Sequence, residues 1–280
     1  MSRRSKTDRE GMILLNVLLV LAVASVAVLV MVVAQDIQVQ RGTRLRDTAQ
    51  AGAYARAGEL SAVTVLRRDA LVAAGTDNLT EPWAAVGQQA IAVPGGRFAL
   101  TIEDEQSRFN INALKSGDSG PIALFQRIGD AIGLAPETAI RVATVVRVAG
   151  PLTDFGLLRT AGVSAEEIAR MEPYVVALPG EATLNLNTAG EPLLAILTGD
   201  PNLAGELVQL RQERGYVLPA DLGSLGLVLP PGTGFTSDHY RVTTTVTVGD
   251  TTQRLTSRIA RVRGDGRVDV FVSGRKRAAG

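Results

Sequence analysis

The pattern of apolar and polar positions changes period along the chain. From Met12 to Ala34 there is an apolar run of 23 residues in which only Asn16 and Ser25 are polar. At about 1.5 Å per residue it spans roughly 35 Å, enough to cross a bilayer core of about 30 Å. Gln35 to about Ala74 contains no proline, and Ile37, Leu45, Ala49, Ala53, Ala57, Leu60, Val63 and Leu66 recur at helical spacing, with charges of alternating sign between them. This predicts one long helix, half in a membrane and half amphipathic outside it. After a loop at Gly75 to Pro82 the period falls to two. Gln89 to Val93, a Pro94-Gly95-Gly96 turn, and Arg97 to Glu103 with Phe98, Leu100 and Ile102 predict a hairpin. A further short strand is expected at Phe109 to Ile111.

From about Pro121 the period is helical again. Helices are expected at Ile122 to Ile132, Pro136 to Val148, Leu152 to Arg159 and Ala165 to Met171. An extended piece at Thr183 to Asn187 leads to helices at Glu191 to Leu197, Leu203 to Arg214 and Pro219 to Leu225. Past Pro230-Pro231-Gly232 the pattern returns to strands: Tyr240 to Val248, a Gly249-Asp250 turn, Thr252 to Val262 and Arg267 to Val272. The basic tail 273–280 reads as disordered. Neither block of strands alone makes a sheet large enough to cover the helix. The order therefore predicts an α+β fold in which a helical block interrupts one sheet.

Composition narrows the chemistry. The chain has 29 basic and 28 acidic residues, so no net field draws it to nucleic acid. It has no cysteine and one histidine, His239, which excludes thiolate chemistry and cysteine-based zinc sites. Glu103, Asp104 and Glu105 form the densest carboxylate run, which reads as a solvated turn. Phosphate-binding glycine loops and nucleophile motifs are missing, so no enzyme is expected.

The first eleven residues carry Arg3, Arg4, Lys6 and Arg9 against Asp8 and Glu10, which keeps this flank in the cytoplasm and the body on the opposite side. Val32 and Ala34 could serve a signal-peptidase site, but the apolar run is too long for a secretory signal. A plain anchor is the bland reading. A short charged leader ending in Gly11, with the apolar helix directly after it, resembles the leader of type IV pilins and pseudopilins. That resemblance implies cleavage by prepilin peptidase after Gly11 and methylation of Met12, leaving 25 basic and 26 acidic residues. In that family the fifth mature position is usually glutamate, thought to pair with a neighbour's N-terminal amine inside the membrane. Here it is Asn16. The K-type minor pseudopilin is the one that lacks the glutamate, which suits a subunit with nothing above it.

Other stretches carry the same resemblance. Asp104-Glu105-Gln106-Ser107-Arg108-Phe109-Asn110-Ile111-Asn112-Ala113-Leu114 resembles the family's acidic turn and N-x-N-x-L segment. Asp154 to Pro179, with Leu157, Leu158, Gly162, Pro173 and Tyr174, resembles its helix, glycine, helix and Pro-Tyr pattern. Leu184-Asn185-Leu186-Asn187-Thr188-Ala189 resembles its V-N-V-N-T-A element. Together they identify the chain as similar to K-type minor pseudopilins of type II secretion systems over nearly its whole length. The implied fold is a pilin-like long N-terminal helix on a small antiparallel sheet, with a large all-helical insert. The expected divisions are a leader 1–11, a transmembrane helix 12–34, pilin-like parts 35–114 and 233–272, and the insert 115–232. The implied partners are other minor pseudopilins, the major pseudopilin, prepilin peptidase, the inner membrane and exported proteins, with the C-terminal domain in the periplasm. Asn187 and Asn112 are expected to cap helices.

Two further expectations concern the insert. Leu184 to Ala189, with the helix pair ending Arg211-Gln212-Glu213-Arg214-Gly215, resembles a helix-hairpin-helix module of DNA-uptake proteins, the alternative function. Its hairpin, Thr198-Gly199-Asp200-Pro201-Asn202, lacks a G-x-G run, and Asn185 to Leu222 carries Arg211 and Arg214 against five acidic residues, the wrong sign for a phosphate backbone. The family resemblance also implies calcium in the insert, in a structural role that pins loops; no cofactor is otherwise required. Hard cations want clustered oxygens. The candidate clusters are Asp118 with Ser116 and Ser119, Asp200 with Asn202, Asp221 with Ser224, and Asp238 with Thr236 and Ser237. None follows EF-hand spacing.

Overall fold

The computed structural model describes residues 4–72, 75–87, 90–228, 231–264 and 267–279, with side chains from Met12 to Ala278 within those ranges. Helix α1 runs unbroken over Arg4–Val72, about 100 Å at 1.5 Å per residue. It passes through Gly11 without a break, so in the uncleaved chain the helix begins before the apolar run. Helix α2 is Pro82–Ala85, and strands β1 (Ile91–Val93) and β2 (Gly96–Asp104) form the expected hairpin. Gly95 makes its turn at φ 81, which glycine adopts without penalty.

The sheet is completed from the other side of the helical block. Strands β7 (His239–Val248), β8 (Thr251–Gly264) and β9 (Arg267–Ala279) give the order β1-β2-β7-β8-β9, antiparallel throughout. Strand β2 pairs with β7 from Gly96↔Val248 to Asp104↔Tyr240, so residues on either side of the insert are direct neighbours. In β7 every second residue, Tyr240, Val242, Thr244, Val246 and Val248, is buried, the period of a sheet with one covered face.

That face packs on α1, along a stripe different from the expected one. The buried apolar residues of α1 are Ala51, Ala55, Ala62, Leu66 and Ala70, with Gly52 and Gly58 between them. A Cβ on Gly58 would meet the Phe98 ring at 2.7 Å. Small residues let helix and sheet approach closely. Of the expected stripe only Leu66 is buried and Val63 half-buried; Ile37, Leu45, Ala49, Ala53, Ala57 and Leu60 face outward. Close approach recurs at Gly96, where a Cβ would lie 1.7 Å from the carbonyl oxygen of Thr247. Because that neighbour is backbone, Gly96→Ala is expected to cost about 1–3 kcal/mol, read as a lower denaturation midpoint with an unchanged slope.

Residues 273–279 of the tail are not a disordered end. Strand β9 continues through it to Ala279, and Arg275 lies beside Glu59 of α1 at 2.7 Å. This buried partner gives the basic tail a place on the sheet, and Arg275 in turn lowers the Glu59 carboxyl below its usual range.

The insert has its own core, and it starts earlier than residue 115. Phe109, Ile111 and Leu114 belong to it, with Leu124, Phe125, Ile128, Val142, Leu158, Ile168, Met171, Leu194 and Leu207. At its far end Phe235 packs on the same core. The helices are α3 (Ser119–Ala131), α4 (Pro136–Ala149), α5 (Gly156–Thr160), α6 (Ala165–Met171), α7 (Glu191–Thr198), α8 (Pro201–Arg214) and α9 (Pro219–Ser224). It is not wholly helical. β3 (Phe109–Asn110) pairs in parallel with β4 (Val175–Val176), and β5 (Leu184–Asn185) with β6 (Thr233–Gly234). These bridges draw distant loops together at the base of the insert.

Candidate assembly surface

Two features of the structure bear on function: a long bare helix and the polar joint beneath the insert. From Met12 to Ile37 the large apolar side chains of α1 touch nothing else in the chain, and their exposures run from 44% to 68%. An 18-residue window here has mean hydropathy 3.2. Surface of that size is stable only in lipid or against other helices. Above it the outward face continues with Leu45, Leu60 and Leu71, each more than 60% exposed.

The joint is built from charged groups that the fold buries. Asp77, in the loop after α1, accepts from Arg261 Nη1 at 2.6 Å and Tyr240 Oη at 2.9 Å on one oxygen. Its other oxygen accepts from Ser237 N at 2.7 Å and Arg263 Nη2 at 3.1 Å. Arg261 also donates to Asp69 of α1 at 3.0 Å and lies over the Tyr240 ring. Glu81 accepts from Trp83 Nε1 at 2.6 Å and from Asn78. Oxygens of Asp69, Asp77 and Glu81 lie within 4.8 Å of one another. Arg261 bonds two of these three acids, Asp69 and Asp77.

A second acid ties the sheet to the insert. Asp104, at the end of β2, accepts from Gln106 N at 2.7 Å, Ser237 Oγ at 2.6 Å, Asn185 Nδ2 at 3.2 Å and the Thr188 hydroxyl. Asn185 also donates to the Asp77 carbonyl at 2.9 Å. Burial raises Asp104 to about 6 against these donors, and pushes Glu81 up to about 7 and Asp69 upward. A carboxyl raised on folding adds stability that is full below its ordinary value of 4.5 and fades as pH rises through 7. Glu81→Gln removes that titration and keeps the shape. Between pH 5 and 8 the unaltered chain should lose up to about 3 kcal/mol relative to the variant, measured as the difference between their urea midpoints across that range.

The comparisons with known proteins fit these features. No family model matches the sequence. The type II secretion system protein K of Pseudomonas aeruginosa is 28% identical across 95% of this chain and 92% of its own. That of Klebsiella pneumoniae is 30% identical across 73% of this chain and 74% of its own. The chain belongs to the type II secretion system protein K family. The fold agrees: a chain in the crystal structure of the GspK-GspI-GspJ complex of enterotoxigenic Escherichia coli superposes with a TM-score of 0.66 at 18% identity, covering 85% of this chain and 99% of that one. This K-family chain is thus a minor pseudopilin, a component of a secretion machine.

The structure places the expected site residues of the K-family chain as follows. Gly11 lies on the backbone of α1, and Met12 and Asn16 are exposed on it. Each of the four aspartates named as a metal candidate stands at its own place. Asp118 is alone at the start of α3, its N–H donating to Ser116 Oγ at 3.2 Å. Asp200 caps α8 by accepting from Asn202 N at 2.8 Å. Both oxygens of Asp221 are bonded to Arg214, and one also accepts from Leu218 N. Asp238 pairs with Arg263 at 3.4 Å. There is one carboxylate at each place, and Asp221 and Asp238 each face an arginine. The hairpin between α7 and α8 is likewise self-satisfied: Asp200 takes an N–H that a phosphate would use.

The asparagines act differently from the expectation. Asn187 does not cap a helix: its Oδ1 accepts from Val217 N at 2.7 Å, and the next helix starts at Glu191 with Gly190 before it. Asn110 caps the short turn after β3, while Asn112 sews two loops together. The acid–arginine joint was not foreseen. Its signal was Arg261, which shares its parity in β8 with the inward residues Leu255, Ser257 and Ile259.

Proposed function

We propose that this minor pseudopilin works at the tip of the secretion pseudopilus, where it nucleates assembly with other minor pseudopilins and supports protein export across the outer membrane. One observation carries the reading: from Met12 to Ala34 the surface of α1 is apolar and bare, and Leu45, Leu60 and Leu71 stand exposed above it, with no partner among the described residues. Neighbouring pilin-like helices, including those of the major pseudopilin, would cover it. The solved GspK-GspI-GspJ assembly of the Escherichia coli protein supports partners of that kind. The insert, a body with its own core beside the sheet, is bulky for a position inside a filament, and Asn16 replaces the charge that would tie the helix to a subunit above. In the membrane the leader stays cytoplasmic, α1 crosses the inner membrane, and the sheet and insert stand in the periplasm. Prepilin peptidase would cut after Gly11, and Met12 would be methylated. No cofactor enters this scheme.

Gly11→Val tests it. The expected result is a chain that keeps its eleven-residue leader, together with loss of export by the system. Unchanged size and unchanged export would instead favour a membrane-anchored domain that builds no filament.

A further inference from the structure

The insert carries an apolar groove that the described residues leave open. It lies between α3 and α4, holds about 400 Å³ and is floored by Phe125 and Leu134, with Ile122 and Ile140 on its walls. A cleft of that size seats a ligand's apolar groups. Ile140 is 63% exposed, a large apolar side chain on an ordered helix with nothing over it. The two ends of the groove differ in charge. α3 and α4 form an antiparallel hairpin. Near its closed end Gly129 lies against Ala139, where an added Cβ would be 4.0 Å from the alanine Cβ, and Asp130 follows on the rim. At the open end Arg147 lies beside Gly117, just ahead of α3, where an added Cβ would be 3.9 Å from the guanidinium carbon. The side chains of Asp130 and Arg147 have no hydrogen-bond or ion-pair partner among the described residues. Ala139 to Arg147 is two turns of α4, so the two charges stand about 12 Å apart along the groove.

These features select the occupant. An extended peptide needs backbone partners, and the walls are helices whose own N–H and C=O groups are already paired. A lipid chain has one charged end and would set its methyl end against Asp130. A helix satisfies its own backbone, and residues two turns apart on it share one face at about 11 Å, close to the spacing of the two rim charges. We propose that the α3–α4 groove seats an amphipathic helix of another protein, with its apolar side chains in the groove, a basic residue at Asp130 and, two turns away, an acidic residue at Arg147. The site is on the insert and not on α1. It therefore does not depend on how α1 packs in a filament, and it gives the insert a binding role of its own.

The probe is a synthetic helical peptide of about 15 residues, with leucines on one face and a Lys and a Glu two turns apart beside them. The chain lacks cysteine, so Gln126→Cys on the groove rim gives the full-length protein in detergent a single site for an environment-sensitive dye. The expected result is a saturable dye response, with affinity reduced about 2- to 5-fold by Asp130→Ala or Arg147→Ala, the range of one exposed ion pair, and binding lost in Ile140→Glu. In Asp130→Arg both ends of the groove are basic, and the preference should move to a peptide with Glu at both charged positions. A misfolded groove would not gain that preference. No dye response, the same order of peptide affinities in every variant, equal binding of a peptide whose helix is broken by a central proline, or displacement of the peptide by dodecanoate would each overturn the proposal.

Discussion

Arg261→Met is expected to lower the free energy of unfolding by about 3–5 kcal/mol. Arg261 is fully buried and touches Asp69 and Asp77, both buried, with Glu81 beside them. Removing it leaves two acids facing each other with Arg263, one-third exposed, as their remaining cation. The lost attraction is secondary; the cost is the buried charge left behind. The control follows from the same physics: replacing Arg261, Asp69 and Asp77 together with apolar residues of similar volume should recover most of the loss. Trp83, the single tryptophan, is buried and bonded to Glu81, so its fluorescence during urea titration reports this joint directly. A loss under 1 kcal/mol for Arg261→Met would show that the acids are solvated or neutral without it.

Asn112→Ala comes next, at about 3–5 kcal/mol. Its side chain donates to the carbonyls of Leu152 at 2.8 Å and Leu178 at 2.9 Å and accepts from Leu152 N at 2.7 Å. It thereby holds together three segments that are 40 and 66 residues apart in sequence. Alanine strands two carbonyls and one N–H in a place water does not reach, at about 1–3 kcal/mol each. Denaturation of the variant in detergent measures the loss. If the insert opens first, hydrogen exchange should rise at Leu152 and Leu178 before it rises in β7.

The sequence made most of the fold legible, because periods of two and 3.6 are written plainly in β2, β7, α3 and α4. The insertion of helices into one sheet followed from the strands on either side of them. Three things were hidden. The face of α1 that meets the sheet is made of alanine and glycine, which a search for large apolar residues passes over; Gly58 under Phe98 marks it only once both are placed. The tail looked disordered because Arg275, Lys276 and Arg277 are basic, and the partner that orders it, Glu59, is 216 residues away. The joint was invisible for the same reason: Asp69, Asp77, Glu81 and Arg261 are ordinary charges until the chain brings them within hydrogen-bonding distance. The leader, by contrast, is a local signal, as are Asn16 and the family's N-x-N segments, although only the fold shows that Asn112 and Asn187 bind loops instead of capping helices.

The central claim is that this chain works by assembling with other pilin-like subunits. The most direct measurement is affinity purification of the full-length chain from detergent-solubilised membranes, with bound proteins identified by mass and DNA assayed in the same eluate. Recovery of small pilin-like subunits without DNA is the predicted result. Recovery of DNA, or of no pilin-like subunit at all, would contradict it.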